Sequence, residues 1–244
     1  MNKFPPVVLI HGMWSTPDMF KELRYFFENQ GYEVHTPRLP FHYPLQQMNE
    51  EAREGLRRSG IDDYVESLSS VIQSLDRKPI LVGHSMGGLL AQLIGERHEC
   101  EKIILLSSGA PAGINTWSFA IIFTLWHNLF RFPLWKSLTD LNIRNIRFGG
   151  ANSQSKQFQQ EISEQTTFES GRVSWQMGMA FLYKNPRTSV NASNINCPIL
   201  IVGGTNDKIT PIRIQKSLAK KYGGKSTLVE IEDACHWTIS GRFF

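Results

Sequence analysis

The segment PILVGHSMGGLLAQ, residues 79 to 92, constrains the fold more than any other part of the chain. Its β-branched and apolar start reads as a buried strand, and the residues from Gly87 onward read as a helix, with only a few positions between them. A strand that passes so abruptly into a helix belongs to a strand-helix-strand unit whose next strand runs parallel to the first. Glycines at 83 and 87 stand two residues either side of Ser85 and remove side chains that would collide in a turn that sharp. A serine that only caps the following helix would explain one polar residue here, but not the two glycines around it.

The same alternation extends along the chain. Strands are expected at 7–10, 33–37, 79–83, 102–108, 197–204 and 226–232, with helices at 17–29, 61–75, 87–98 and 211–222. In the second helix Ile61, Tyr64, Val65, Leu68, Val71, Ile72 and Leu75 return at helical spacing, the stripe of a helix laid on a sheet. Strands and helices in succession predict an α/β fold, doubly wound around a mostly parallel sheet of about six strands. The alternation stops near Ala110. Residues 111–190 are too many for a loop and are dense in aromatic side chains, so an inserted helical cap is expected there, with 1–110 and 191–244 forming the core.

With 244 residues, 41% hydrophobic and 20% charged, the chain is long enough to bury a substantial core as one domain with an insertion. Its 26 basic and 22 acidic residues leave a net charge of +4, scattered in pairs such as Arg57-Arg58, which speaks against nucleic acid as a partner. Cys100, Cys197 and Cys235 lie far apart without metal-ligand spacing; this implies neither a disulfide framework nor a metal site, and a cytoplasmic location is expected. The start of the chain, with a Pro-Pro pair and four apolar residues before His11, lacks the form of a signal peptide. Residues 117–135 approach the length of a membrane span, but His127, Asn128, Arg131 and Pro133 interrupt them, so they read as a largely apolar helix covering something.

A turn at the carboxyl end of a parallel strand is where doubly wound sheets hold ligands. It would place the Ser85 hydroxyl at the rim, with the positive end of a helix beneath it. A serine needs a base within hydrogen-bond reach, and the base needs a third group to orient it. Of seven histidines, His236 alone follows directly on the last strand. His11 and His84 sit beside motif glycines and are expected to be buried and hydrogen-bonded, while His98 ends a helix. His35 and His42 read as surface residues, with a place in the site wall as the alternative; His127 is either an interior residue or part of a pocket. Asp207, just past the 197–204 strand, is the carboxylate expected behind His236, its competing role being a turn or capping aspartate. Asp233 is too close in sequence to reach that imidazole from behind. Acyl transfer builds negative charge on a carbonyl oxygen, and the expected donors to it are the backbone N–H groups of Met86 and of Met13, in the loop after the first strand. Trp14 is either a substitute for Met13 or a wall of the acyl pocket.

The stretches VVLIHGMW, GHSMGG, GGTNDKITP and ACHW, in this order and spacing, resemble the α/β-hydrolase superfamily, in its serine esterase and lipase branch. The resemblance spans nearly the whole chain apart from the cap. It implies Ser85 as nucleophile, Asp207 as orienting acid, His236 as base, and Met13 and Met86 as oxyanion donors. Against the family pattern, the chain begins at what corresponds to the third strand, so the early antiparallel strands are expected to be missing. It also ends eight residues after His236, short of the helix that members usually add.

The expected reaction is hydrolysis of carboxylic esters of short to medium acyl chain through an acyl-enzyme, with no metal or organic cofactor. The partner is then a small-molecule ester, and Trp14, Trp117, Phe123, Trp126 and Trp175 are expected to line its pocket. An apolar cap is also compatible with a monoacylglycerol lipase or lysophospholipase that touches a lipid surface transiently. Two other readings use the same scaffold: cofactor-free perhydrolase or haloperoxidase chemistry, and a ligand receptor with slow hydrolysis.

Overall fold

Residues Val7–Ile10 form strand β1, and all four are fully buried. In the computed structural model, which describes residues 4–244 apart from the side chain of Leu129, a 3-10 turn at Pro17–Phe20 leads into helix α1 (Lys21–Asn29) and strand β2 (Val34–His35). Helices α2 (Glu50–Arg58) and α3 (Ile61–Gln73) precede strand β3 (Ile80–His84), helix α4 (Met86–Gly95) and strand β4 (Lys102–Leu106). The following insertion holds helix α5 (Phe119–Leu129), strand β5 (Leu138–Thr139), the single turn α6 (Ile143–Asn145), helix α7 (Lys156–Glu164), strand β6 (Glu169–Ser170) and helix α8 (Gly171–Gly178). Strand β7 (Ile199–Gly204), helix α9 (Ile212–Tyr222) and strand β8 (Ser226–Ile231) return the chain to the main sheet.

That sheet has six strands, all parallel, in the order β2-β1-β3-β4-β7-β8. Successive side chains on a strand point to opposite faces, and both faces are covered. Val8, Ile10, Leu81, Ile103 and Leu105 join the core that includes α3 and α4, whereas Val7, Leu9, Ile80 and Val82 join Phe20, Leu23 and Ile239 on the other side. Strands buried on two faces need no polar alternation, which is why they read as unbroken apolar runs. Helix α4 is buried along its whole length. The chain leaves β1 toward β2 on one side and resumes at β3 on the other, so the carboxyl ends of β1 and β3 flank the crevice where such sheets hold ligands.

Four local expectations differ from the structure. The strand expected at 33–37 is only two residues long; it is an edge strand, and Pro37 has no N–H to donate to the ladder. The helix expected from Pro17 begins as a 3-10 turn. Ahead of α3, the segment expected to be irregular contains α2, capped by the Asn49 side chain accepting from Ala52 N–H at 2.8 Å. This helix buries only Ala52 and Leu56, too little periodicity to read in a charged stretch. The insertion is not wholly helical, because β5 and β6 pair as an antiparallel ribbon of two residues each. Among the described residues no helix is long and apolar enough to cross a membrane.

Candidate active site

Ser85 joins β3 to α4 with φ 55° and ψ −122°, a backbone conformation seldom adopted by residues other than glycine. The flanking glycines serve a different need. A Cβ on Gly83 would lie 2.2 Å from the Gly87 carbonyl oxygen, and one on Gly87 would lie 1.9 Å from that of Ile10. Strain thus falls on the serine and close approach on the glycines. Hydrogen bonds hold the strained residue from both ends: Ser85 N–H donates to Leu106 O at 3.1 Å, and Ser85 O accepts from Gly88 N–H at 3.0 Å and Gly109 N–H at 2.7 Å. Trp14, Phe41, Ser107 and Asp233, the other non-glycine residues with positive φ among those described, also follow strands of the main sheet. Backbone strain is therefore concentrated at the carboxyl edge, as it is at functional sites generally.

Asp207 and His236 lie in the loops after β7 and β8, both nearly buried. Asp207 Oδ2 is 2.9 Å from His236 Nδ1, and Oδ1 accepts from the backbone N–H groups of Ile209 and Thr210, each at 2.8 Å. Thr210 Oγ1 sits 2.8 Å from Asp207 Oδ2 and 3.1 Å from His236 Nδ1. Sequence reasoning missed this threonine; a hydroxyl three residues after an aspartate in a turn is the signal that was there to use. Burial pushes the Asp207 carboxyl up, but the charge and hydrogen bond of His236, with the donors from Thr210, outweigh it and hold the group below the usual carboxylate range. An ionised acceptor at Nδ1 keeps the ring proton there and leaves Nε2 as the basic nitrogen.

His84 supports this loop from within the sheet. Its ring lies 4.9 Å from that of His236, and its Nε2–H donates to the His236 carbonyl at 2.9 Å. Burial and the neighbouring imidazole push His84 down to about 3, so it is neutral.

Gly12, Met13, Ser85 and His236 line one recess of about 40 Å³. A Cβ on Gly12 would lie 3.0 Å from Ser85 Cβ, which shows how closely the loop after β1 passes the serine. Neither Met13 N–H nor Met86 N–H has an acceptor among the described residues. Met86 opens α4, where unpaired N–H groups carry partial positive charge. Ser85 Oγ likewise makes no hydrogen bond with a described residue.

A family model described as the alpha/beta hydrolase family matches residues 7–239. The chain belongs to the alpha/beta hydrolase family. This α/β hydrolase is 23% identical to human Protein ABHD8 over 218 residues, 86% of the chain and 46% of that protein. It thus spans about half the length of the curated relatives it matches. Among solved structures it is similar to the methylesterase MES16 from Arabidopsis, with a TM-score of 0.72 and 15% identity over 98% of this chain and 94% of that one. It is also similar to the monoacylglycerol lipase of Paleococcus ferrophilus, with a TM-score of 0.67 and 20% identity over 95% and 87% of the two chains. At these identities the structural likeness is one of fold.

Beside the small recess the α/β hydrolase has a larger cavity of about 160 Å³, bounded by Ser85 and Met13 and walled mainly by apolar groups. Of the five aromatic residues expected to line a pocket, Trp14, Trp117 and Trp175 do so. Phe123 and Trp126 do not; they are 60% and 52% exposed. Helix α5 turns Ile121, Leu125 and Asn128 toward the cavity and Phe119, Phe123 and Trp126 away from it. Being apolar on both faces, α5 carries no sequence signal for which face turns inward. The surface reading of His42 is also corrected. This ring is fully buried, with Nε2 3.0 Å from Glu169 Oε2, a partner 127 residues away in sequence. His35, by contrast, is half-exposed beside Glu33, and His127 bonds to Asp140 at 2.8 Å.

Proposed function

We propose that this α/β hydrolase cleaves carboxylic esters by two-step acyl transfer, with Ser85 as nucleophile, His236 as base and Asp207 as its orienting acid. One observation carries the reading: Ser85, His236 and Met13 meet in a single recess, with the Asp207 carboxylate 2.9 Å behind the imidazole. Ser85 Oγ attacks the ester carbonyl while its proton passes to His236 Nε2, and the alcohol leaves with that proton. Water, deprotonated by the same nitrogen, then attacks the acyl-enzyme, frees the acid and restores the serine. A hydrogen bond between Ser85 Oγ and the imidazole is of the kind that forms once substrate is seated. The N–H groups of Met13 and Met86 receive the developing oxyanion, each worth on the order of 10²–10³ in rate. No metal or organic cofactor enters these steps. Walls formed by Trp14, Trp117, Ile121, Leu125 and Trp175 suit an acyl chain of short to medium length.

A second reading is favoured by a specific observation. Phe119, Phe123, Trp126, Phe130 and Phe132 are 93%, 60%, 52%, 75% and 86% exposed, on and just after the helix whose other face walls the cavity. Contact with a lipid surface would cover them and direct monoacylglycerols or lysophospholipids to the site.

A panel of p-nitrophenyl esters of increasing acyl length, run on the native chain and on Ser85→Ala, tests both readings. The first expects a preference for short to medium chains and a loss of about 10⁴-fold or more in Ser85→Ala, together with loss of stoichiometric fluorophosphonate labelling. A rate that jumps above the micellar threshold supports the second. A chain that binds small apolar molecules yet hydrolyses no ester and takes no label is a receptor, and peroxide-dependent halogenation without ester turnover points to haloperoxidase chemistry. Either result removes the proposal.

A further inference from the structure

We infer that Glu169, His42 and Tyr64 form a buried positioning cluster through which the insertion holds the loop at residues 12–14 and aims the N–H of Met13; the inference rests on the oxyanion role proposed for that group. Glu169, in β6, is fully buried. Its Oε1 accepts from Tyr64 O–H at 2.6 Å and Ser170 N–H at 2.7 Å, and its Oε2 lies 3.0 Å from His42 Nε2. His42 Nδ1 lies 3.0 Å from the Pro40 carbonyl, which can only accept. His42 Nδ1 therefore carries a proton and donates to that carbonyl. Burial and the adjacent carboxylate push the Tyr64 phenol well above its usual range, so it serves only as a donor. The cluster joins the loop after β2, helix α3 and the insertion by fully buried polar contacts, whose groups would be costly to leave without partners.

Its contacts indicate what it holds. The His42 ring packs edge-on against His11 at 5.1 Å. Burial and the neighbouring His42 ring push His11 down to about 3, so His11 is neutral. Because its Nε2 accepts from Leu39 N–H at 3.2 Å, the proton sits on Nδ1, which donates to the Gly12 carbonyl at 3.0 Å. In a planar trans peptide the carbonyl of Gly12 and the N–H of Met13 point in opposite directions, so fixing the first aims the second.

The other side of Met13 is clamped from the insertion. Trp14, strained at φ 56°, donates from Nε1 to Thr139 Oγ1 at 3.1 Å, and that hydroxyl donates to the Glu169 carbonyl at 3.2 Å. Thr167 N–H donates to the Trp14 carbonyl at 2.9 Å. The residues before and after Met13 are thus held by two routes that meet at Glu169, one at its side chain and the other at its main-chain carbonyl, whose position the buried side chain anchors. An oxyanion donor acts by being in place before the charge appears, which is what such a double clamp supplies.

The test reads the loop directly as well as through turnover. In protein labelled with ¹⁵N-tryptophan, the Trp14 indole N–H is assigned by its loss in Trp14→Phe. In Glu169→Leu it is expected to exchange with solvent at least about tenfold faster, while the Trp237 indole, bonded to Ser240 Oγ at 2.7 Å, keeps its protection and reports an intact fold. On a soluble ester, kcat should fall about 10–100-fold with KM changed less than about threefold. Glu169→Gln keeps the acceptor for Tyr64 and Ser170, and its amide can donate to His42 Nε2, so it should retain most of kcat. Should Glu169→Leu fail to fold, Tyr64→Phe removes one hydrogen bond at constant shape and is expected to move both readouts the same way by a smaller factor. Native Trp14 protection in a folded Glu169→Leu, or in Tyr64→Phe if the former is unfolded, overturns the inference. If the native chain hydrolyses no ester, the proposed function fails on its own, and the Trp14 exchange still decides whether the cluster holds the loop.

Discussion

Asp207 Oδ2 lies 2.9 Å from His236 Nδ1, and the other oxygen of the carboxylate is held by two backbone N–H donors. Those donors fix which way the carboxylate faces. In Asp207→Asn the side-chain oxygen stays with the backbone donors and the amide NH₂ is turned toward the imidazole, which then carries its proton on the wrong nitrogen. The expected outcome is a drop of about 10⁴-fold in kcat on a soluble ester with little change in KM. Thr210→Val, which removes a hydroxyl touching both residues, should cost about tenfold to a hundredfold. Steady-state kinetics on both variants, with thermal melts to show that each is folded, checks the ranking; equal losses in the two would contradict it.

The turn that holds Ser85 sets a second expectation. In Gly87→Ala the new methyl would sit 1.9 Å from the Ile10 carbonyl oxygen, backbone of the neighbouring strand that has no freedom to move. β1 and α4 must separate to admit it, so a loss of about 3 kcal/mol or more is expected in urea unfolding. Gly224→Ala meets nothing within 4 Å and has no positive φ, so it should be neutral or slightly stabilising, by about 0.4–1 kcal/mol.

These two sites also show what can be read from a sequence and what cannot. The crowding around Ser85 is local: glycines two residues either side of a polar residue at a strand end state the requirement in five letters. Asp207 and His236 were legible for a related reason, since each follows a strand and the fold brings all carboxyl ends to one edge. Helix α5 was legible as apolar but not in its orientation, because nothing polar marks an outer face. His42, Tyr64 and Glu169 were invisible as a unit. Each alone reads as an ordinary polar residue, and their meeting depends on how the insertion docks on the core, across sequence separations of 105 and 127 residues.

Neutral buried histidines set the acid limit of stability. His11 and His84 are both held at about 3, chiefly by burial, against about 6.5 in an unfolded chain. As pH falls below 6.5 the unfolded chain takes up protons that the folded chain refuses, so stability is fully present above that value and is lost progressively toward pH 3. By pH 5 each residue should have removed on the order of 2 kcal/mol. Urea titrations at pH 8, 6 and 5 measure the slope. His84→Gln, which can still donate to the His236 carbonyl, should flatten it, and a variant curve parallel to the native one would rule out His84 as a source.

Outward and inward faces of α5 should separate two kinds of selectivity. Phe123 and Trp126 stand in solvent, so the double substitution Phe123→Ser and Trp126→Ser leaves the cavity wall in place. Turnover of a soluble short ester is expected to stay within about twofold, because no group touching the acyl chain has changed. Any gain from presenting the ester in micelles or anionic vesicles should disappear, since the apolar face that would enter the interface is gone. Leu125→Trp acts on the other side. It fills part of a cavity of about 160 Å³, so long acyl chains should lose far more kcat/KM than acetate does, with or without an interface. If the outward pair instead lowers soluble and interfacial turnover equally, the exposed aromatic face serves the integrity of the insertion, and the lipid-ester reading loses the observation that favours it.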